Sequence, residues 1–268
     1  MNYDKHSIES LETVTIFSPA TKKCLAILDE IKDASLEGAA DTVWSTGKRG
    51  RRLSSFKQNK TLTFSCNNGY IVGGLLAEQF GDKSPEQDFE TATIELPAFE
   101  YLTVTGGVAV TTHTAISPSG DGGDEILWIY AMNKDRSQGA AYPQEADASD
   151  DAFAYNPATR TITLPTDVFE NGDEIIVFYD HLTKGTKYTN RSDSYAGDVK
   201  VVFDYLVKDV CTKELRHAMF VMPIGTISDN FSLSFGNDMA VQPFSVEAAT
   251  DVCSKDKELG YWVFPAGE

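Results

Sequence analysis

The side chains of this 268-residue chain that could do chemistry are few and scattered. Its four histidines, His6, His113, His181 and His217, form neither an H-E-x-x-H nor a His-x-His pair. They therefore read as surface or strand-end imidazoles rather than as ligands or bases. Cys24, Cys66, Cys211 and Cys253 stand singly, without a C-x-x-C pair, and read as buried free thiols rather than as a zinc knuckle or a redox dithiol. There is no G-x-S-x-G to carry a nucleophile. Gly47-Lys48 continues into Arg49, where a phosphate loop needs Ser or Thr, and position 42 is Thr rather than Gly. Carboxylates gather at 121–125 and 145–151, the donor type that a hard cation takes, but neither run has EF-hand spacing, so both read as solvated loops. Trp44, Trp128 and Trp262 would form a sugar platform if exposed, and otherwise pack in a core or an interface. No catalytic, cofactor-binding or metal-binding residue is assigned, and the expectation is a protein that is not an enzyme and holds no cofactor.

Charge is more informative. The formal net charge is −17, with 41% apolar and 24% charged residues, a globular composition with a one-sided surface that would be repelled by phosphates. The sign is not uniform along the chain. Lys48, Arg49, Arg51, Arg52, Lys57 and Lys60 fall within 13 positions that contain no acid. Residues 61–268 hold 13 basic side chains against 32 acidic ones. Leu53 and Phe56 are the only large apolar residues between Lys48 and Lys60, and Gly38, Gly47 and Gly50 flank or interrupt the basic stretch. It reads as a long exposed loop between strands. With few aromatic residues to stack bases, the favoured role is docking on the acidic surface of an identical subunit, a heterologous contact that builds stacked rings or a filament when repeated. These six cations are the candidate inter-subunit residues.

The elements that must carry this segment are mostly strands. From 199 to 208 the odd positions are Val199, Val201, Phe203, Tyr205 and Val207, while Lys200, Asp204 and Lys208 lie between them, which describes a half-buried strand. Residues 61–66 and 231–235 alternate in the same way. Further strands are predicted at 13–17, 24–31, 91–96, 101–105, 126–131, 161–164, 174–179, 214–222, 241–248 and 260–264. Asn68-Gly69, Asn171-Gly172, 120–123 and 236–238 supply turn chemistry. One helix is predicted at about 70–80, where Val72, Leu75, Leu76 and Phe80 have helical spacing, Asn68 can cap the start and Gly81 the end. Gly73 and Gly74 weaken that helix, so it should form only against a close neighbour. Residues 1–10 lack a cationic stretch followed by an apolar run, and no apolar run, 175–179 included, approaches the roughly 20 residues needed to span a membrane, so synthesis in the cytoplasm is expected.

The order Ile31-Lys32-Asp33-Ala34-Ser35, Thr42-Val43-Trp44-Ser45-Thr46-Gly47-Lys48-Arg49-Gly50, Phe56-Lys57-Gln58-Asn59-Lys60, Asn68-Gly69 and Gly73-Gly74-Leu75-Leu76-Ala77 resembles the major tail (tail tube) proteins of tailed bacteriophages. The closing stretch 199–264, with Phe231-Ser232-Leu233-Ser234-Phe235-Gly236 and the run 240–248, is similar to the last strands of those proteins. The resemblance implies a mainly β, antiparallel β-sandwich or barrel of the tail-tube type with one flanking helix. It also implies a structural virion protein that self-assembles into hexameric rings stacked into the conduit for genome ejection. The segment 38–58 takes the place of a loop that reaches the next ring. On this resemblance, 1–110 and 165–268 form a discontinuous sandwich, and 111–164 is an acidic β and loop insertion expected on the outside of the tube. The implied partners are other copies of itself, other tail proteins and phage DNA passing without specific binding, with no membrane. A tail terminator, tail-tip or decoration subunit, or a carbohydrate-binding β-sandwich module, are the alternatives.

Overall fold

A computed structural model of the protein describes residues 5–82, 93–233, 241–250 and 257–265. The chain forms two compact units, Met1–Pro85 with Tyr188–Glu268, and Glu86–Lys187. Both are built of antiparallel sheets, so the mainly β, sandwich-like fold expected from the alternation is the one observed. The first unit is one open sheet, ordered β2 (Cys24–Leu28), β1 (His6–Phe17), β12 (Asp198–Asp209), β13 (Leu215–Ile227), β14 (Gln242–Ala248), β4 (Arg52–Asn68) and β3 (Ile31–Thr46), with β15 (Tyr261–Val263) added to β13.

β12 forms as the period of two requires. Val199, Val201, Phe203, Tyr205 and Val207 are buried and the residues between them are half-buried. Its inward face meets Phe64 of β4, whose ring lies 4.3 Å from that of Phe203, and Phe220 of β13 lies 5.5 Å from Phe203. Val14, Ile16, Leu28, Phe244 and Val246 complete this core.

The helix α1 (Gly73–Phe80) is shorter than predicted and starts differently. Its N-cap is Val72 rather than Asn68, whose side-chain amide instead donates to the Tyr70 carbonyl at 2.8 Å. Two buried amides fix α1 to β14. Gln242 accepts the Val72 N–H at 2.7 Å and donates to Gln79 at 3.1 Å, and Gln79 donates to the Pro243 carbonyl at 2.7 Å. Gly81 ends the helix in the left-handed region, as expected. Gly74 is required by proximity, since a Cβ there would collide with the carbonyl oxygen of Leu25 on β2.

The second unit contains a four-stranded sheet, β5 (Thr93–Thr103), β11 (Glu174–Lys184), β7 (Trp128–Met132) and β8 (Gln138–Pro143), and a three-stranded sheet, β6 (Val108–Val110), β10 (Thr161–Thr163) and β9 (Ala154–Asn156). Ile129, Ile175, Val177 and Tyr179 of the first sheet share a core with Ala109 and Ile162 of the second. The acidic segment 111–164 lies inside this unit, together with the strands on either side of it, because β5 and β11 pair along their whole length.

Several local expectations are corrected. The separate strands 91–96 and 101–105 are replaced by the continuous β5, which tolerates Pro97 because it is an edge strand. The strand 24–31 is divided at Asp29-Glu30, and Ile31 opens β3. Residues 231–233 are not extended into a ladder, and 234–240 lie outside the described residues. The loop expected at 38–58 is a hydrogen-bonded hairpin of β3 and β4.

Gly74→Ala should destabilise the protein by about 2 kcal/mol or more, since a backbone atom cannot yield as a side chain can. Gln242→Leu should cost about 1–3 kcal/mol by leaving the Val72 N–H and the Gln79 amide oxygen without partners. Denaturant unfolding monitored by circular dichroism measures both.

Candidate assembly interface

The hairpin of β3 and β4 is anchored at one end and bare at the other. Near the anchor, Leu36 pairs with Phe64 and Ile31 with Asn68, so the strands belong to the core sheet. Beyond Ala39 and Thr61 the two strands pair only with each other among the described residues. Every residue from Lys48 to Lys60 is exposed. Nine residues of β4 lie beyond Thr61, which at about 3.3 Å per residue is a projection of roughly 30 Å. A two-stranded ribbon with no third strand is marginal in water, so this projection is the part of the first unit most in need of cover.

The register assigns its faces. Val43 opposes Phe56 on one face, and Trp44 opposes Ser55 on the other, with Thr42 and Lys57 beside them. The guanidinium of Arg52 lies over the Trp44 ring, 4.7 Å from its centroid. Both faces therefore carry a large aromatic residue, with Trp44 at 43% and Phe56 at 56% exposure. At the tip, Gly47 N–H donates to the Arg51 carbonyl at 2.7 Å, and Arg49 and Gly50 take positive φ to close the turn. Leu53 folds back on Gly47, where no side chain occupies the space. Asn59, also at positive φ, donates to Asp41 at 2.9 Å beside the irregularity at Ala39 and Asp41.

All six predicted cations lie on this one element. Lys48 and Arg49 are in the tip, Arg51 follows it, and Arg52, Lys57 and Lys60 are on β4. Among the described residues none of the six is paired with a carboxylate. The acid lies mainly elsewhere in the sequence, since residues 86–187 hold 18 Asp and Glu against 5 Lys and Arg. Loss of Trp44 or Phe56 removes no core contact, so Trp44→Ala and Phe56→Ser should each shift monomer stability by less than about 0.5 kcal/mol in thermal unfolding.

The remaining candidate groups are arranged as follows. His181 is buried within β11 and its ring stacks on that of the exposed His113 at 4.1 Å, so it is a buried imidazole inside a strand rather than the surface or strand-end one the sequence suggested. His6 stacks on Phe264 at 4.9 Å, and His217 lies 3.0 Å from Asp204. Of the three described cysteines Cys66 alone is buried, which pushes its thiol up to about 12, while Cys24 and Cys211 are exposed rather than buried as expected, and Cys253 lies outside the described residues. No three His, Cys, Asp or Glu side chains among the described residues are placed to hold a metal ion. Trp262 packs against Tyr205 and Phe220 at 5.2 and 5.1 Å, and Trp128 is about half exposed.

One arrangement was not read from the sequence. The outward face of the β5, β11, β7 and β8 sheet is aromatic, with Phe99 tilted against Phe178 at 5.0 Å and Tyr101 edge-on to Phe99 at 4.7 Å. Beside Phe178 and Trp128 the segment 116–127 lines one side of a cleft of about 330 Å³. In its wall, the Ser117 hydroxyl and the Ser119 N–H bond Asp124, and the Ser117 bond holds this carboxyl below the usual range.

No curated protein matches the chain. Residues 140–263, which include the strands from β9 to β15, match the YomU/Tube protein family, a phage tube-type family of structural rather than enzymatic proteins, and this match supports the tail-tube resemblance and points to a structural component of a phage virion.

Proposed function

We propose that the protein is the major tail tube subunit of a tailed bacteriophage, which forms hexameric rings that stack into the conduit for genome ejection. The observation that carries the ring-stacking reading is the hairpin of β3 and β4. It projects beyond its own sheet, bears apolar groups on both faces and concentrates the cations of an otherwise acidic chain. In the assembled tube it docks on the acidic surface of a copy in the adjacent ring. Each exposed ion pair contributes only about 0–1 kcal/mol, so the cations supply orientation and encounter rate, while buried Trp44, Phe56 and Leu53 supply most of the adhesion. Lateral closure of the ring uses open sheet edges, which belong to β2 and β3 in the first unit.

The same electrostatics suits a conduit. An acidic wall repels DNA phosphates over about 8 Å at physiological salt, so the genome slides without sticking. The segment 111–164 sits on the outer surface of the tube in this reading. The subunit is made in the host cytoplasm and ends in the virion tail with other tail proteins.

Purified protein viewed by negative-stain microscopy over a concentration series should show rings and tubes. A particle that stays monomeric in the presence of its tail-assembly partners would refute the assignment. Arg51→Glu with Arg52→Glu should leave the circular dichroism spectrum unchanged and raise the concentration needed for tube formation by about tenfold, a shift that raised salt should imitate in the parent. Equal tube formation by the double variant and the parent at low salt would remove the hairpin from ring stacking.

A further inference from the structure

The cleft between the outward face of the β5, β11, β7 and β8 sheet and the segment 116–127 has a chemistry that the tube reading does not use. Trp128, Tyr130 and Phe178 stand on its sheet side, and Asp124, Glu125 and Asp180 bring carboxylates to the same space. Trp128 is 47% and Phe178 52% exposed, which is unusual for large rings on a sheet whose other face already has a core. Tyr130 meets Phe178 edge-on, 6.2 Å between centroids, so the rings form an angled wall rather than a flat plate.

The carboxylates are built into the site. Glu125 is nine-tenths buried, and its Oε2 accepts from Gly123 N–H at 3.0 Å and from the Gln144 amide at 2.7 Å. Gln144 in turn accepts the Ile126 N–H at 2.8 Å, which ties the cleft wall to the strand entering β7. Asp124 is bonded by Ser117 and Ser119. Asp180, exposed two residues along β11 from Phe178, makes no side-chain hydrogen bond or ion pair with any described residue.

We infer that this cleft binds a neutral pyranose of a glycan. A sugar ring has apolar C–H faces that pack on aromatic rings and hydroxyl groups that donate to acceptor-only carboxylates, and these are the two kinds of surface the cleft presents together. An apolar protein surface laid over the cleft would strip water from Asp180 without giving it a donor. The unit's excess of 18 acids over 5 bases excludes anionic sugars, teichoic-acid-like phosphate polymers and nucleic acid as the ligand class. The inference does not rest on the tube assignment and holds for the unit Glu86–Lys187 whatever the first unit assembles into.

The full chain has three tryptophans, which give three indole N–H signals in a nitrogen-15 NMR spectrum. Titration with D-glucose, D-galactose and N-acetyl-D-glucosamine should shift one of them saturably at millimolar sugar, namely the signal absent from Trp128→Ala. Asp180→Asn, an exposed isosteric change that keeps the fold, should weaken binding at least threefold, and Trp128→Ala should weaken it at least tenfold by calorimetry. Absence of a saturable shift with every sugar up to about 50 mM, the range of the weakest specific sites, overturns the inference. So does a response that moves the Trp44 or Trp262 signal, or that survives both substitutions. Variants that abolish tube formation while no sugar response exists in the parent would identify the face as a protein interface and likewise overturn it.

Discussion

The contact between Phe64 and Phe203 is the constraint on which the first unit depends. β4 and β12 are separated by two other strands along the sheet, yet these rings lie 4.3 Å apart, so the sheet must curl until its two regions face each other across the core. That curl encloses Val201, Phe244 and Val246, and it leaves room for α1 to close one side through the paired amides of Gln79 and Gln242. It also fixes the inner half of β4. Because residues 61–68 are held in this way, the outer half, 52–60, can continue as a strand with nothing beneath it.

Packing and electrostatics thus divide along one continuous β-strand. The inner residues of β4 alternate between core and partly covered positions, while the outer ones lose that alternation and become basic and wholly exposed. Local pairing with β3 maintains the extended backbone, and the side chains are released for contacts outside the subunit. A loop of the same composition would have to order its backbone on docking, at an entropic cost of roughly 1–2 kcal/mol per residue. A preformed ribbon has met most of that cost on folding.

The sequence exposes this division unevenly. β12 and β11 are legible because one side of each strand is buried, so hydrophobic alternation reports them directly. The outer hairpin looks like a loop in the sequence because both of its faces are wet, and a strand exposed on both faces writes no period of two. The charge cluster marks the segment in the sequence, while its conformation is a strand pair rather than a loop. The stacking of His113 on His181 and the cleft of Trp128, Phe178 and Asp180 left no local signal. Each joins side chains about 50 or more residues apart: Trp128 reaches Phe178 through the pairing of β7 with β11, and His113 reaches His181 through a segment whose Ile116 N–H donates to the Asp180 carbonyl. The true start of α1 was hidden for the same reason, since its capping partner Gln242 lies 170 residues away.

The irregularities in the hairpin ladder make its reach and its aim separately adjustable. Register shifts occur between Lys32 and Ser35, between Ala39 and Asp41, and between Ser45 and Thr46, and each such bulge adds local twist. Adding one residue to each arm would lengthen the ribbon by about 3.4 Å, but would exchange the faces occupied by Trp44 and Phe56 relative to the sheet. Adding two to each arm would restore both faces and extend the reach by about 7 Å. The ribbon is therefore a ruler graduated in pairs of residues, and lineages that change the spacing between stacked subunits should alter this segment in steps of two per strand, or compensate a single step with a bulge.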